Sequence, residues 1–236
     1  MLTHHELGRL WDFDDPAGSE QRLRDAAHQP GCSPELRAEL ETQLARALGL
    51  QSRFDEAGAL LDRIVFDSPP VATRLLLERG RLLNSSGHPD AAVAFFTQAR
   101  VIAGRVGLAY LEVDALHMLA IADPANADNW TKQALAMLDE AADDRTRLWA
   151  VALHNNLGWN LHDAGQYDEA LTQFSLAQGA AIRFGTDKHR FTARWAFARC
   201  LRSLGRNDEA LDIQRELAAE RPDDEDVRSE LAELGA

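Results

Sequence analysis

Histidines, cysteines, carboxylates and a set of tryptophans and arginines are the residues of this chain from which chemistry could be built. His154 and His162 stand eight residues apart, about two turns if the segment is helical. That is wider than the i, i+4 pair of a helical zinc site, and no His-Glu-x-x-His motif occurs. His117 and His154 both follow Ala-Leu and read as equivalent packing positions, while His4-His5 reads as a frayed terminus. Cys32 and Cys200 lie far apart in no metal-type spacing, so neither a zinc site nor a disulfide framework is expected. There is no glycine-rich phosphate loop and no nucleophile elbow. Carboxylates gather at expected helix starts and in the run Asp223-Asp224-Glu225-Asp226, which reads as a solvated face. The residues therefore offer no catalytic constellation, and the expectation is a non-enzymatic protein without metal or cofactor.

Composition narrows the class of partner. The 236 residues carry a formal net charge of -13, which repels phosphate backbones and argues against nucleic acid. Hydrophobic residues at 45% and charged residues at 27% are ordinary for a folded soluble chain. No apolar run approaches the roughly 20 residues of a membrane span, and the N-terminus lacks the basic start and apolar stretch of a signal peptide. A cytoplasmic protein with no membrane contact is expected.

The elements that must position any site are set by internal repetition. Ser52–Leu61 (SRFDEAGALL), Gly87–Phe96 (GHPDAAVAFF), Gly165–Phe174 (GQYDEALTQF) and Gly205–Gln214 (GRNDEALDIQ) share one pattern, and Asn129–Leu138 (NWTKQALAML) is a divergent fifth copy. Ala57, Ala92, Ala134, Ala170 and Ala210 mark one equivalent position, at spacings of 35, 42, 36 and 40 residues. Such a period is the signature of a solenoid. Each unit reads as two helices around a turn: Gly165 suits the left-handed end of the first helix, and Asp168-Glu169 suit the first turn of the second. The small marker alanines let the helices approach, and Leu61, Phe96, Leu138 and Phe174 fill the space between them. Ser33-Pro34-Glu35 caps the first full repeat, and Asp15-Pro16 opens an earlier helix over 17–28.

This pattern resembles the tetratricopeptide repeat family. Leu157-Gly158, Gly165, Tyr167, Ala170, Phe174 and Ala177 match its consensus best. Ala45, Phe54, Ala57, Leu61, Ile64 and Pro69 follow, and then Ala198, Gly205, Ala210, Leu217 and Pro222. The repeat after Gly80 keeps Gly87, Ala92, Phe96 and Ala99 but has Pro89 for the aromatic. The middle repeat lacks the turn glycine and places Asp123-Pro124 where its first helix should continue, so it is expected to be shortened or bent. Two spacings exceed the family's usual length of about 34, as in bacterial regulatory and scaffold members. The resemblance implies an all-α, right-handed α-solenoid of antiparallel helix pairs. Residues 1–32 form leading helices, 33–222 five helix pairs and 223–236 a capping helix.

The resemblance also implies where a partner binds, because first helices line the concave face in this family. Aligning the repeats at the marker alanines places Arg46 there in the first pair, Arg74, Arg81 and Asn84 in the second, Asn155, Trp159 and His162 in the fourth, and Trp195, Arg199 and Arg202 in the fifth. These positions are cationic and aromatic in an otherwise acidic protein. Arginine matches a carboxylate with two parallel N–H bonds, and tryptophan offers an apolar anchor with one donor. The expected function is protein–protein interaction, with an acidic or C-terminal partner segment in the groove. Self-association and, further off, small-ligand sensing are the alternatives. Salt bridges from these arginines to neighbouring helices, with the tryptophans packed as core, would remove the site.

Overall fold

The computed structural model describes residue 2, residues 4–65 and residues 67–236; the side chains of His4 and His5 lie outside the described residues. The chain is an all-α solenoid of helix pairs, with no strand among the described residues. It divides into two compact units, Met1–Ala134 and Leu135–Ala236.

The first unit opens with α1 (His4–Leu10) and α2 (Pro16–His28) and continues with α3 (Pro34–Leu50), α4 (Phe54–Arg63), α5 (Pro69–Ser85), α6 (Pro89–Val106) and α7 (Ala109–Ala122). Proline begins α2, α3, α5 and α6, where a missing N–H costs nothing and φ is already helical. The Asp15 carboxylate accepts from the Gly18 N–H and the Ser33 hydroxyl from the Leu36 N–H, satisfying donors that would otherwise be orphaned. The break after α7 is a built turn: Pro124–Asn126 forms one turn of 3₁₀-helix, and the Asp123 carboxylate accepts from Trp130 Nε1 at 3.0 Å and from the Asn126 amide. Helix α8 (Ala127–Glu140) follows.

The second unit contains α9 (Asp144–Arg147), α10 (Trp149–Asp163), α11 (Tyr167–Phe184), α12 (Asp187–Ser203), α13 (Asn207–Glu220) and α14 (Glu225–Glu233). The turns after α10 and α12 use Gly165 and Gly205 at φ of 77° and 74°, a region that costs an L side chain roughly 1–2 kcal/mol. The equivalent turn after α3 places Ser52 there instead, at φ 60°.

Packing within each pair follows from one contact. All five marker alanines have no exposed surface. Phe96 and Phe174 are fully buried and press on glycines of the preceding helix. A Cβ on Gly80 would lie 2.4 Å from the Phe96 ring, and one on Gly158 would lie 2.6 Å from the Phe174 ring. Each pair α5–α6 and α10–α11 thus closes by a ring seated on bare backbone, which fixes where the first helix of the pair turns its other side.

Candidate interaction site

In the second unit the first helices α10 and α12 carry Trp159, His162, Trp195 and Arg199 to one cavity of about 480 Å³. The Trp159 and Trp195 rings are 6.0 Å apart. Trp159 rests edge-on against Phe174, with centroids 4.9 Å apart, so the ring seated on Gly158 also supports the aromatic floor. The Arg199 guanidinium lies 6.0 Å from the Trp159 ring centre and 5.8 Å from that of Trp195, within reach of their negative faces. His162 packs edge-on at 5.2 Å from Trp159 and bonds the Ser203 hydroxyl through Nε2 at 2.8 Å. That bond ties α10 to α12.

Carboxylates complete the cavity wall, and sequence alignment of the repeats did not place them there. Glu230 of α14, 1% exposed, accepts from Arg202 Nε at 2.8 Å and Nη2 at 3.0 Å, and also from Arg199 Nη1. Burial raises its pKa, but the Arg202 hydrogen bonds and the two guanidinium charges outweigh burial and hold it below the ordinary glutamate value. Asp163 and Asp226 add further negative charge at the rim. The only signal for Glu230 in the sequence is its place three residues after Val227, on the buried side of α14.

Among the described residues, three polar atoms of α10 and α12 are buried without a hydrogen-bond partner: His162 Nδ1 and Trp195 Nε1 on the cavity wall, and Asn155 Oδ1, which does not line the cavity. Such orphans are uncommon in native proteins. The nearest acid to His162 Nδ1 is Asp163, at 3.6 Å, too far for a hydrogen bond.

The first unit corrects the expectation of a free cationic wall. Arg74 is buried, and its Nε donates to Glu39 Oε2 at 3.1 Å. Arg81 donates to Glu78 at 2.6 Å and to Asp114. Burial works to raise the Asp114 pKa, yet Arg81 and Arg46 hold it below the usual aspartate value. Burial pushes Glu78 up despite Arg81 and drives His117 down to about 4. Arg46 stacks against the chain's own Trp11 and Phe13, at 5.7 and 5.3 Å from their ring centres. Trp11 Nε1 in turn donates to Gln43 at 3.2 Å. Asn84 is half-buried, with no side-chain hydrogen bond among the described residues. Each arginine of this wall is therefore engaged by a carboxylate or an aromatic pair from another helix or the N-terminal segment, because a desolvated guanidinium is costly unless compensated.

Paired helices around glycine turns, with alanine contacts between them, define a helical-repeat scaffold. The chain belongs to the tetratricopeptide repeat family, whose model matches residues 42–105 and 156–225. Solved structures share the fold at low identity. BtubC (BKLC) from P. vanneervenii is 16% identical over 92% of this chain and 93% of its own, with a TM-score of 0.64. A putative kinesin light chain of Podosopora anserina with nearly identical repeats is 20% identical over 79% and 95%, with a TM-score of 0.57. A thermophilic repeat protein of Thermus thermophilus is 23% identical over 84% and 98%, with a TM-score of 0.54. No curated protein matches the chain by sequence. Among the described residues no helix is long and apolar enough to cross a membrane, and no group of acidic, histidine or cysteine side chains could hold a metal ion.

Proposed function

We propose that the protein is a non-enzymatic interaction module that receives a segment of a partner protein against α10 and α12. The segment brings an apolar side chain to Trp159 and Trp195 and a carboxylate to Arg199. The observation that carries this reading is the Trp159–Trp195–Arg199 cluster around one cavity. Arg202 holds Glu230 with two N–H groups while Arg199 gives it one, so the Arg199 side chain, 36% exposed, keeps donors for a second carboxylate. Trp195 Nε1, on the cavity wall and without a hydrogen-bond partner among the described residues, suits a peptide carbonyl. The engaged arginines of the first unit leave it out of this role. The two free cysteines suit a reducing compartment such as the cytoplasm.

The test is affinity capture from the native cell by the full chain and by a Trp159→Ala/Arg199→Glu variant, with circular dichroism confirming that the variant is folded. The variant is expected to lose the partners that the parent enriches. Equal capture by a folded variant refutes the assignment.

A further inference from the structure

We propose that the second unit carries another binding site, separate from the Trp159–Trp195 cavity, for the chain-terminal carboxylate of a polypeptide ending in an aliphatic residue. The site is a second cavity of about 480 Å³, bounded by the end of α11, the first half of α12 and the end of α13. Its centre is Arg221, whose guanidinium lies 4.0 Å from the centre of the Phe191 ring. Phe191 is itself buried, so ring and guanidinium form a fixed stack that presents the guanidinium edge with little side-chain entropy left to lose.

The neighbouring arginines are engaged and Arg221 is not. Arg190 donates to the Gly185 carbonyl at 2.8 Å and to Asp187. Arg194 bridges Glu216 at 2.8 Å and Glu220 at 2.5 Å. Among the described residues the Arg221 side chain has neither an ion pair nor a hydrogen bond; its bonds are made by the backbone, the N–H donating to the Leu217 carbonyl at 2.9 Å and the carbonyl accepting from the Asp224 N–H at 3.2 Å.

The surroundings decide what this edge can hold. Asp187 and Glu220 line the cavity and are held by Arg190 and Arg194, so a single guanidinium is left, and it matches one carboxylate rather than a run of them. Ile182, 70% exposed, lies on the cavity wall beside it and calls for an aliphatic group next to the acid. A cavity at the lower end of the range for small-ligand sites takes the last two or three residues of a chain rather than a segment running through. A chain end whose last side chain is aliphatic supplies a single carboxylate, an apolar group on the same Cα and an adjacent N–H for Glu220.

The experiment uses the full chain and three acetylated peptides: Gly-Ala-Val-Leu with a free C-terminus, the same peptide amidated, and amidated Gly-Glu-Val-Leu. Binding is followed by NMR at the Arg221 Nε–Hε and Phe191 ring resonances. The free acid is expected to move both and to bind about tenfold more tightly than its amide, the discrimination one charged hydrogen-bond pair provides. Arg221→Gln, checked for fold by circular dichroism, should lower the free acid to the level of the amide. Trp159→Ala/Arg199→Glu should leave its binding unchanged, which separates this site from the proposed groove. Equal binding of acid and amide, or a stationary Arg221 resonance in the parent protein, overturns the site. Binding of the internal-glutamate amide as tight as the free acid overturns the chain-end assignment.

Discussion

Replacing Gly158 by alanine should destabilise the second unit although alanine is the better helix former. An alanine Cβ would sit 2.6, 2.8 and 3.0 Å from three atoms of the Phe174 ring, against an optimal separation of about 3.5–4.0 Å. The ring must withdraw by about 1 Å, but it is fully buried and held in edge contact with Trp159, 4.9 Å between centroids. Overpacking of this kind costs about 1–3 kcal/mol, and the helix-propensity gain of about 1 kcal/mol offsets part of it. A net loss of up to about 2 kcal/mol is expected. Gly179 on α11 is the control, because a Cβ there meets nothing within 4 Å; Gly179→Ala should stabilise by up to about 1 kcal/mol. Two compact units make a single global transition an unsafe measure. Native-state hydrogen exchange at the α10 and α11 amides, supported by urea unfolding, reads the local change instead. Gly158→Ala combined with Phe174→Leu should recover part of the loss, a favourable coupling between contacting residues. A Gly158→Ala protein as stable as Gly179→Ala would show that the ring has room to move and that this contact does not fix the helix pair.

Arg74→Ala should cost up to about 3–5 kcal/mol by taking the guanidinium from the buried Glu39, which keeps the Leu2 N–H hydrogen bond, whereas Arg74→Met with Glu39→Leu should cost far less in chemical denaturation. Glu230 titrates below its ordinary value in the folded protein, so its contribution is complete above the unfolded glutamate pKa of about 4.3 and is lost as pH falls through the folded value. Glu230→Gln should remove that part of the acid limb of stability, measured as the difference in unfolding midpoint between pH 7 and pH 3. Burial and the Asp168 charge push the Cys200 thiol up to about 11, and its sulfur is fully covered. A thiol reagent at pH 8 should therefore label Cys32 first and reach Cys200 only after unfolding, as peptide mass analysis of a time course would report.

Much of the architecture was legible because it is local. Helix starts are written as Ser33-Pro34 and Asp15-Pro16, and side-chain caps stand at both. The glycine turns are written as Gly165 and Gly205, and both have the left-handed backbone. The repeat register placed Trp159, His162, Trp195 and Arg199 on first helices, and those four meet in one cavity. What the pattern could not supply was the charge around them. Arg46, Arg74 and Arg81 form a cationic wall in the repeat register alone, because the acids and rings that engage them lie on other segments of the chain.

By itself, then, the sequence determined the family, the helix pairs and the faces that pack, because each depends on spacings within one repeat. Alanines at one register position are buried in every copy for that reason. Only the tertiary structure decided which charges stay available. Glu39 and Arg74 are 35 residues apart, Arg81 and Asp114 are 33 apart, and Arg199 and Glu230 are 31 apart, so each acid answers an arginine on another repeat. An ion pair depends on distance in space and on desolvation, and stacking one helix pair on the next sets both.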